Sequence, residues 1–308
     1  MAVHDDRMRL FSLVEGISDN EMRALGMQAL RAWFEKVPAL AAGLGIQEAL
    51  PYTVAVHALG LEIIRLLIPR SPATFTAEEI NLMKEPFIDS FGMRWMQPFT
   101  EFIYWLERSG LAVATQQNSE GTSTNLRITK RGVLALSHPD DHPLLPGFLE
   151  RVQAHCPGLP DGVVALLVDA RACLGYSLLR AAVVLMGVAY EIAISEVADR
   201  LQTTNAFGIK SVAGKQAAEK IALIRKAIEA GAIPWLAATT DKLEQSTRIA
   251  AAVAAYDFAN ALRARRNEAS HLLPLHDFDH TGETEEFLVS AGRHLRALWS
   301  VALDPPVP

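Results

Sequence analysis

Apolar side chains recur every three or four residues along most of this chain, which is the spacing of a helix with one buried face. In the first third of the chain this pattern predicts helices over three segments: residues 21–34, 54–67 and 93–108. Another helix is predicted to begin at Thr76, because Thr76 and Glu79 have the spacing of a capping box. The helix over 93–108 is expected to end at Gly110, since glycine commonly terminates helices.

After Gly110 the apolar side chains no longer follow the spacing of a helix. Residues 111–115 and 125–129 are short strand-like runs, and a turn-rich stretch separates them. They predict a small β-hairpin. The order of helix, glycine, strand, turn and strand, followed by Thr129-x-x-Gly132, resembles the end of a winged helix-turn-helix of the MarR-like kind. This resemblance covers about residues 54–137.

A winged helix of this kind implies DNA as a candidate partner, read by a helix that enters the major groove. The basic residues available for that contact are Arg94 and Arg108 in the helix, and Arg127, Lys130 and Arg131 beside the wing. These residues are few for the neutralisation of DNA phosphates, and Glu101 and Glu107 lie in the same helix. We therefore favour a packing or dimerisation role for this module, with DNA binding as the alternative.

Five prolines fall within residues 139–160, more than in any other stretch of that length. Proline at this density interrupts regular structure. We predict a proline-rich connector over residues 138–160. It would join a helical and winged-helix domain over residues 1–137 to a second domain over 161–308.

The second domain is expected to be all helical. Its pattern predicts helices over four segments, of which the first could be one helix or two: residues 163–201, 212–230, 249–273 and 285–303. Gly231 and Pro274 stand where the second and third of these helices should end. The predicted fold class is therefore mainly α, with a small hairpin in the first domain and a helical bundle in the second.

The composition is that of a globular protein, with half of the 308 residues apolar and 21% charged. The most apolar run, residues 181–190, is too short to span a bilayer, and the start of the chain lacks the pattern of a signal peptide. Cys156 and Cys173 cannot build a disulfide framework. We expect a cytoplasmic protein without a membrane partner.

Net charge limits the partners further. The chain carries a net charge of −6, and neither half is basic overall. Any contact with nucleic acid must therefore come from a local patch of positive charge.

Two segments suggest a cofactor site or a metal site, but neither has the residue spacing that such a site requires. Residues 208–215 look like a phosphate-binding loop, but the glycines are one residue too far apart and Gln216 replaces the Ser or Thr that would ligate magnesium. His271, His276 and His280 suggest a metal site, yet a polar loop explains them better because no helical histidine pair fixes a geometry. We expect neither a metal nor a cofactor.

The strongest chemical signal is an arginine followed closely by a histidine. The chain has 21 arginines and nine histidines, so about two pairs separated by four to six residues are expected by chance. Three occur, and spacing alone therefore decides nothing. Arg266 and His271 differ from the others because they lie near the end of a predicted helix, with Asn267 on the face of His271.

This local sequence, residues 261–274, resembles the HEPN ribonucleases, in which Arg-polar-x-x-x-His stands near the end of a late helix. Residues 178–194 resemble an early helix of the same family. The resemblance covers most of residues 161–300. A solvated cap of the helix end is the alternative explanation for Arg266 and His271.

The chemistry needs no metal, because RNA carries its own nucleophile in the 2′-hydroxyl. His271 could accept its proton, Arg266 could stabilise the phosphoryl oxygens, and Asn267 could hold the phosphate or orient His271. The remaining candidates are Arg263 and Arg265 for RNA affinity, and Glu191 and Ser270 as supporting residues.

The resemblance also implies a homodimer, in which two such motifs face each other and form one composite site. The function expected is a metal-independent endoribonuclease of a toxin-like or antiviral defence kind, with an antitoxin-like or regulatory protein as a candidate partner. The alternative is a non-catalytic winged-helix regulator or RNA-binding scaffold whose helical half only dimerises.

Overall fold

The computed structural model describes residues 17–43, 53–67, 69, 93–117, 123–203, 211–233, 242–271 and 283–302. The chain divides into two compact units, Met1–Ser137 and His138–Pro308. Their described parts are mainly helical, which confirms the mainly α fold class. Each unit has its own buried core.

The first unit contains four described helices and one antiparallel sheet. The helices are α1 (Asp19–Gly43), α2 (Val56–Leu67), α3 (Met93–Arg108) and α4 (Lys130–Ser137), and the strands are β1 (Thr53–Ala55), β2 (Ala112–Gln117) and β3 (Ser123–Ile128). The order in the sheet is β1-β3-β2. The predicted hairpin is thus confirmed, as are the three helices that fall on described residues. The helix predicted to begin at Thr76 lies outside the described residues.

Strand β1 and helix α4 are the described elements of this unit that the sequence did not reveal. The residues of β1 belong to the apolar run from which a helix over 54–67 was predicted. In the structure Val54 is paired with Leu126 across the sheet, and the helix begins only at Val56. A strand of three residues is too short to establish a period of two, so the helical pattern beside it hid it.

The junction between the sheet and α4 explains the Thr129-x-x-Gly132 pattern. The Thr129 hydroxyl donates a hydrogen bond to the Gly110 carbonyl at 2.6 Å and accepts one from the Gly132 N–H at 3.0 Å. A Cβ on Gly132 would lie 2.1 Å from the Leu111 carbonyl oxygen. Threonine therefore caps the start of α4, and glycine lets that helix approach the backbone that follows α3.

Strand β2 lies at one edge of the sheet, and a side chain reaches one of its backbone donors. The N–H of Ala114 donates to a carboxylate oxygen of Glu107 at 3.0 Å. Glu107 comes from the last turn of α3.

The second unit is a helical bundle. Its described helices are α5 (Phe148–His155), α6 (Asp161–Gly175), α7 (Leu179–Thr203), α8 (Ala217–Glu229), α9 (Lys242–Ser270) and α10 (Glu283–Ser300). Helix α7 is central, because it packs against α6, α8, α9 and α10. The apolar segment that could have been one helix or two is two, and the chain turns between them at Ser177, whose φ is 58°.

The proline-rich segment belongs to the second unit and is not a separate connector. It contains α5, and Leu144, Leu145 and Phe148 are buried. Pro160 stands directly before α6, where it begins a helix without interrupting one. Proline density therefore marked helix ends and turns inside this unit.

Helix α7 is also long and apolar enough to cross a membrane by length and composition, with a mean hydropathy of 1.7 over its most apolar window. Within the described residues it is the one helix that passes this test. More than half of that window, 56%, is buried among the other helices. Such a helix is weak evidence for a membrane span, because the core helix of a bundle passes the same test.

Two tyrosines connect the helices of this bundle through buried hydroxyls. Tyr190 on α7 donates to the Ala291 carbonyl, and Tyr256 on α9 donates to the Leu298 carbonyl at 3.4 Å. Burial raises the pKa of Tyr190 well above its ordinary value. Both hydroxyls therefore remain neutral and hold α7 and α9 against α10.

The α4 junction gives a test of the first unit. We expect Gly132→Ala to lower the free energy of unfolding by about 1–3 kcal/mol, since the new methyl group must displace backbone. Gly60→Ala is the matched control, because its Cβ would meet the Phe99 ring at 3.7 Å, an ordinary contact. Urea unfolding followed by circular dichroism measures both. Equal stability of the two variants would contradict this account of the junction.

Candidate anion-binding cleft

Helices α7 and α9 are in close contact where the Arg266 side chain crosses Gly187. A Cβ on Gly187 would lie 2.7 Å from both Cβ and Cγ of Arg266. Any larger residue would push the two helices apart or displace the arginine. Because residue 187 has no side chain, the aliphatic part of the Arg266 side chain can lie directly on α7.

The guanidinium of Arg266 ends at Glu191, one helical turn beyond Gly187. Its Nη2 donates to a carboxylate oxygen of Glu191, and each side chain is 25% exposed. A charge-assisted bond at this degree of burial holds the arginine in one orientation. Glu191, a candidate supporting residue from the sequence, thus positions Arg266.

This ion pair bears on the alternative that Arg266 is only a solvated cap of its own helix. The side chain of Arg266 runs to Glu191 on α7 and not to the end of α9. The Ala269 carbonyl near that end instead accepts a hydrogen bond from Arg180, at the start of α7. Arg180 therefore caps the carboxyl end of α9, whereas Arg266 contacts the neighbouring helix α7.

Arg266 and Glu191 line a cleft of about 430 Å³ between α7, α8 and α9. The other polar side chains that line it are Ser195, Arg263, Asn267, Lys215 and Gln216. Two of these, Lys215 and Gln216, come from the segment that failed as a phosphate-binding loop. The sequence did not show that this segment meets α9, because the contact joins residues about fifty positions apart.

The cleft is positively charged although the protein is acidic. Its lining includes three cations, Lys215, Arg263 and Arg266, and one carboxylate, Glu191. Within the part of the chain that the structure describes, neither Lys215 nor Arg263 makes a salt bridge, and Arg263 donates to the neutral Asn260 at 3.3 Å. The net positive charge of the cleft suits an anionic ligand.

His271 lies outside this cleft. Its backbone N–H donates to the Asn267 carbonyl at 2.9 Å and closes the last turn of α9, while its side chain is exposed. The hydroxyl of Ser270 donates to the Arg266 carbonyl at 2.9 Å. Arg265 pairs with Glu268 at 3.2 Å. The structure thus brings Arg263, Arg266 and Asn267 together and leaves His271, Ser270 and Arg265 at the helix surface.

The candidate DNA contacts of the first unit have different surroundings. Arg127 and Lys130 are exposed, whereas Arg131 donates to the Ser109 carbonyl at 3.0 Å and so packs on the turn after α3. The side chain of Arg94 lies outside the described residues. The exposed face of α3 carries Glu101 and Arg108 on either side of Tyr104, which is 51% exposed. One carboxylate and one cation leave this face without the net positive charge that favours contact with DNA phosphates.

The described residues contain no cluster of metal ligands, and the Cys156 thiol is unreactive. Burial raises the pKa of the Cys156 thiol to about 12, so it stays protonated at neutral pH and serves packing. No group of three His, Cys, Asp or Glu side chains that could hold a metal occurs among the residues described. His276 and His280 lie outside them.

Comparison with known proteins adds no relative. No protein-family model, no curated protein and no solved structure matches this chain.

The crossing at Gly187 gives a test of the site's construction. We expect Gly187→Ala to lower the free energy of unfolding by about 1–3 kcal/mol, because α7 and α9 must separate. Gly162→Ala on α6 is the control, since a Cβ there meets nothing within 4 Å. Urea unfolding of both variants measures the difference. If Gly187→Ala is as stable as Gly162→Ala, the two helices are not held together by this contact.

Proposed function

We propose that this protein is a metal-independent endoribonuclease in which Arg266 and Asn267 bind RNA in the cleft, and His271, one turn further along α9 and outside the cleft, supplies the general base. One observation carries the proposal: Arg266 and Asn267 lie together in a positively charged cleft, with Arg266 oriented by Glu191. The rest of the acidic protein repels polyanions, so a local cleft of this kind is where a nucleic acid would bind.

In this mechanism RNA supplies the nucleophile. A neutral His271 takes the proton of the 2′-hydroxyl, and the oxygen then attacks the adjacent phosphorus. Arg266 stabilises the charge that develops on the phosphoryl oxygens, and Asn267 holds the phosphate. The 5′-oxygen leaves with a proton, so the products are a 2′,3′-cyclic phosphate and a 5′-hydroxyl.

The proton for the leaving oxygen requires a second acid, which we assign to His271 of a second copy. Two features of one chain support a homodimer. His271 is exposed at the end of α9, and the neighbouring α6–α7 turn exposes Tyr176 by 80% and Leu178 by 55%. Arg180 ties this turn to the end of α9 through the Ala269 carbonyl. Apolar exposure of this size beside the histidine suits a protein interface.

We also propose family assignments for both units. The bundle with its long α7 and α9 supports a HEPN-like domain, and the order α2, α3, β2, β3 with a third strand supports a winged helix-turn-helix. The exposed Tyr104 and the lack of net positive charge on this face of α3 favour a protein partner over DNA for the first unit. Such a partner fits a cytoplasmic, toxin-like or defence nuclease restrained by a regulatory protein.

A second function keeps the same fold without catalysis. Because His271 does not line the cleft, the second unit could bind RNA through Arg263 and Arg266 and act as a scaffold that only dimerises. The two functions differ in one respect, which is whether RNA is cut in a manner that depends on His271.

The test is RNA cleavage in EDTA. We expect the full chain to cut RNA and leave 2′,3′-cyclic phosphate ends, and His271→Ala to lose at least about a hundredfold in rate, the usual contribution of a general base. His155→Ala is the matched control, because His155 is also exposed and also ends a helix of the second unit. Circular dichroism should show that both variants keep their fold.

Intact RNA across a broad panel of sequences would refute the nuclease, as would equal cutting by His271→Ala. RNA binding without cutting would instead identify the scaffold. Growth of cells that express the wild type or His271→Ala gives a simpler first comparison, with toxicity expected from the wild type alone.

A further inference from the structure

The cleft has a second wall that the proposed reaction does not use. Arg266 and Asn267 come from α9, whereas Lys215 and the first turn of α8 line the opposite side. The cleft volume of about 430 Å³ exceeds what a single phosphate group fills. The α8 wall therefore has room for a ligand group of its own.

The backbone that carries Lys215 is held in place. Val212 is buried, and its N–H donates to the Gln202 side chain of α7 at 3.1 Å. The Lys215 N–H donates to the Val212 carbonyl at 3.1 Å, and Gly214 supplies the left-handed φ of +76° that this turn requires. Lys215 is thus a half-buried cation on a fixed turn, without a carboxylate partner among the described residues.

Arg263 faces the same space from α9, one turn before Arg266. The Nε atoms of both arginines are buried and have no hydrogen-bond acceptor within the described parts of the chain. Because these Nε atoms are closed off from solvent, a ligand in the cleft would contact the terminal nitrogens of Arg263. One of them, Nη2, donates to the neutral Asn260, so the positive charge of Arg263 is not offset there.

The start of α8 adds further donors to these cations. Glu219 accepts the Gln216 N–H at 2.9 Å, which leaves Ala217 and Ala218 in the first turn with N–H groups that no helical carbonyl can reach. Both residues line the cleft. Backbone donors of this kind, beside two cations, match the oxygens of a phosphate group.

We propose that Lys215 and Arg263, together with the first turn of α8, form a phosphate-binding subsite separate from Arg266 and Asn267. On the proposed function, on which this inference rests, the subsite holds the phosphate of a nucleotide that adjoins the one being cut. The RNA strand would then run across the cleft from α9 to α8.

The test uses the full chain and an RNA oligonucleotide with 2′-O-methyl groups, which cannot be cut. We expect Lys215→Gln to weaken binding about threefold to tenfold, and to reduce the slope of log affinity against log salt by about 0.7, the value for one contact to a single strand. Lys226→Gln is the control, because Lys226 is exposed at the other end of α8. It should leave affinity and slope unchanged.

Inorganic pyrophosphate separates failure of the subsite from failure of the nuclease. We expect calorimetry to show that the wild type and His271→Ala bind pyrophosphate and that Lys215→Gln binds it at least about threefold more weakly. If RNA is never cut but this pattern holds, the subsite stands and the proposed reaction is lost. If cutting depends on His271 while Lys215→Gln alters neither RNA nor pyrophosphate binding, the subsite is overturned.

Discussion

The second unit depends on one close contact, the passage of Arg266 over Gly187. Because α7 offers no side chain there, the arginine can lie along the helix and reach Glu191 one turn later. Asn267 follows Arg266 directly, and Arg263 precedes it by one turn, so the same contact places all three beside α8. The site is therefore built on packed helices, which hold side chains more firmly than loops do.

The charge of the cleft is opposite to that of the protein as a whole. A net charge of −6 over the chain opposes contact with polyanions, whereas the cleft concentrates three cations beside one carboxylate. Glu191 offsets part of that positive charge and at the same time orients Arg266. An anionic ligand is therefore attracted to this cleft and repelled by the acidic surface around it, which restricts binding to one location.

Sequence periodicity located most helices, since burial of one face repeats every three to four residues whatever the tertiary contacts are. It could not locate β1, which is too short to show a period, or recognise that the prolines of residues 139–160 end helices inside a folded unit. The arginine–histidine motif and the family resemblance singled out Arg266, Asn267 and Glu191, but not the ion pair between Arg266 and Glu191, because it joins residues 75 positions apart. Glycine spacing excluded the segment ending at Lys215 as a phosphate loop, and the position of this segment beside α9 follows only from the packing of α8.

The bond between Glu107 and the Ala114 N–H has a consequence for how the first unit can meet other chains. A sheet edge usually presents a row of free backbone donors and acceptors, and such a row can recruit a strand from a neighbouring molecule. On β2 that row is interrupted by a carboxylate from the same chain. Strand addition at the β2 edge, and with it aggregation through this edge, is disfavoured. A molecule that meets the first unit at β2 would then be recognised by side chains and not by backbone pairing.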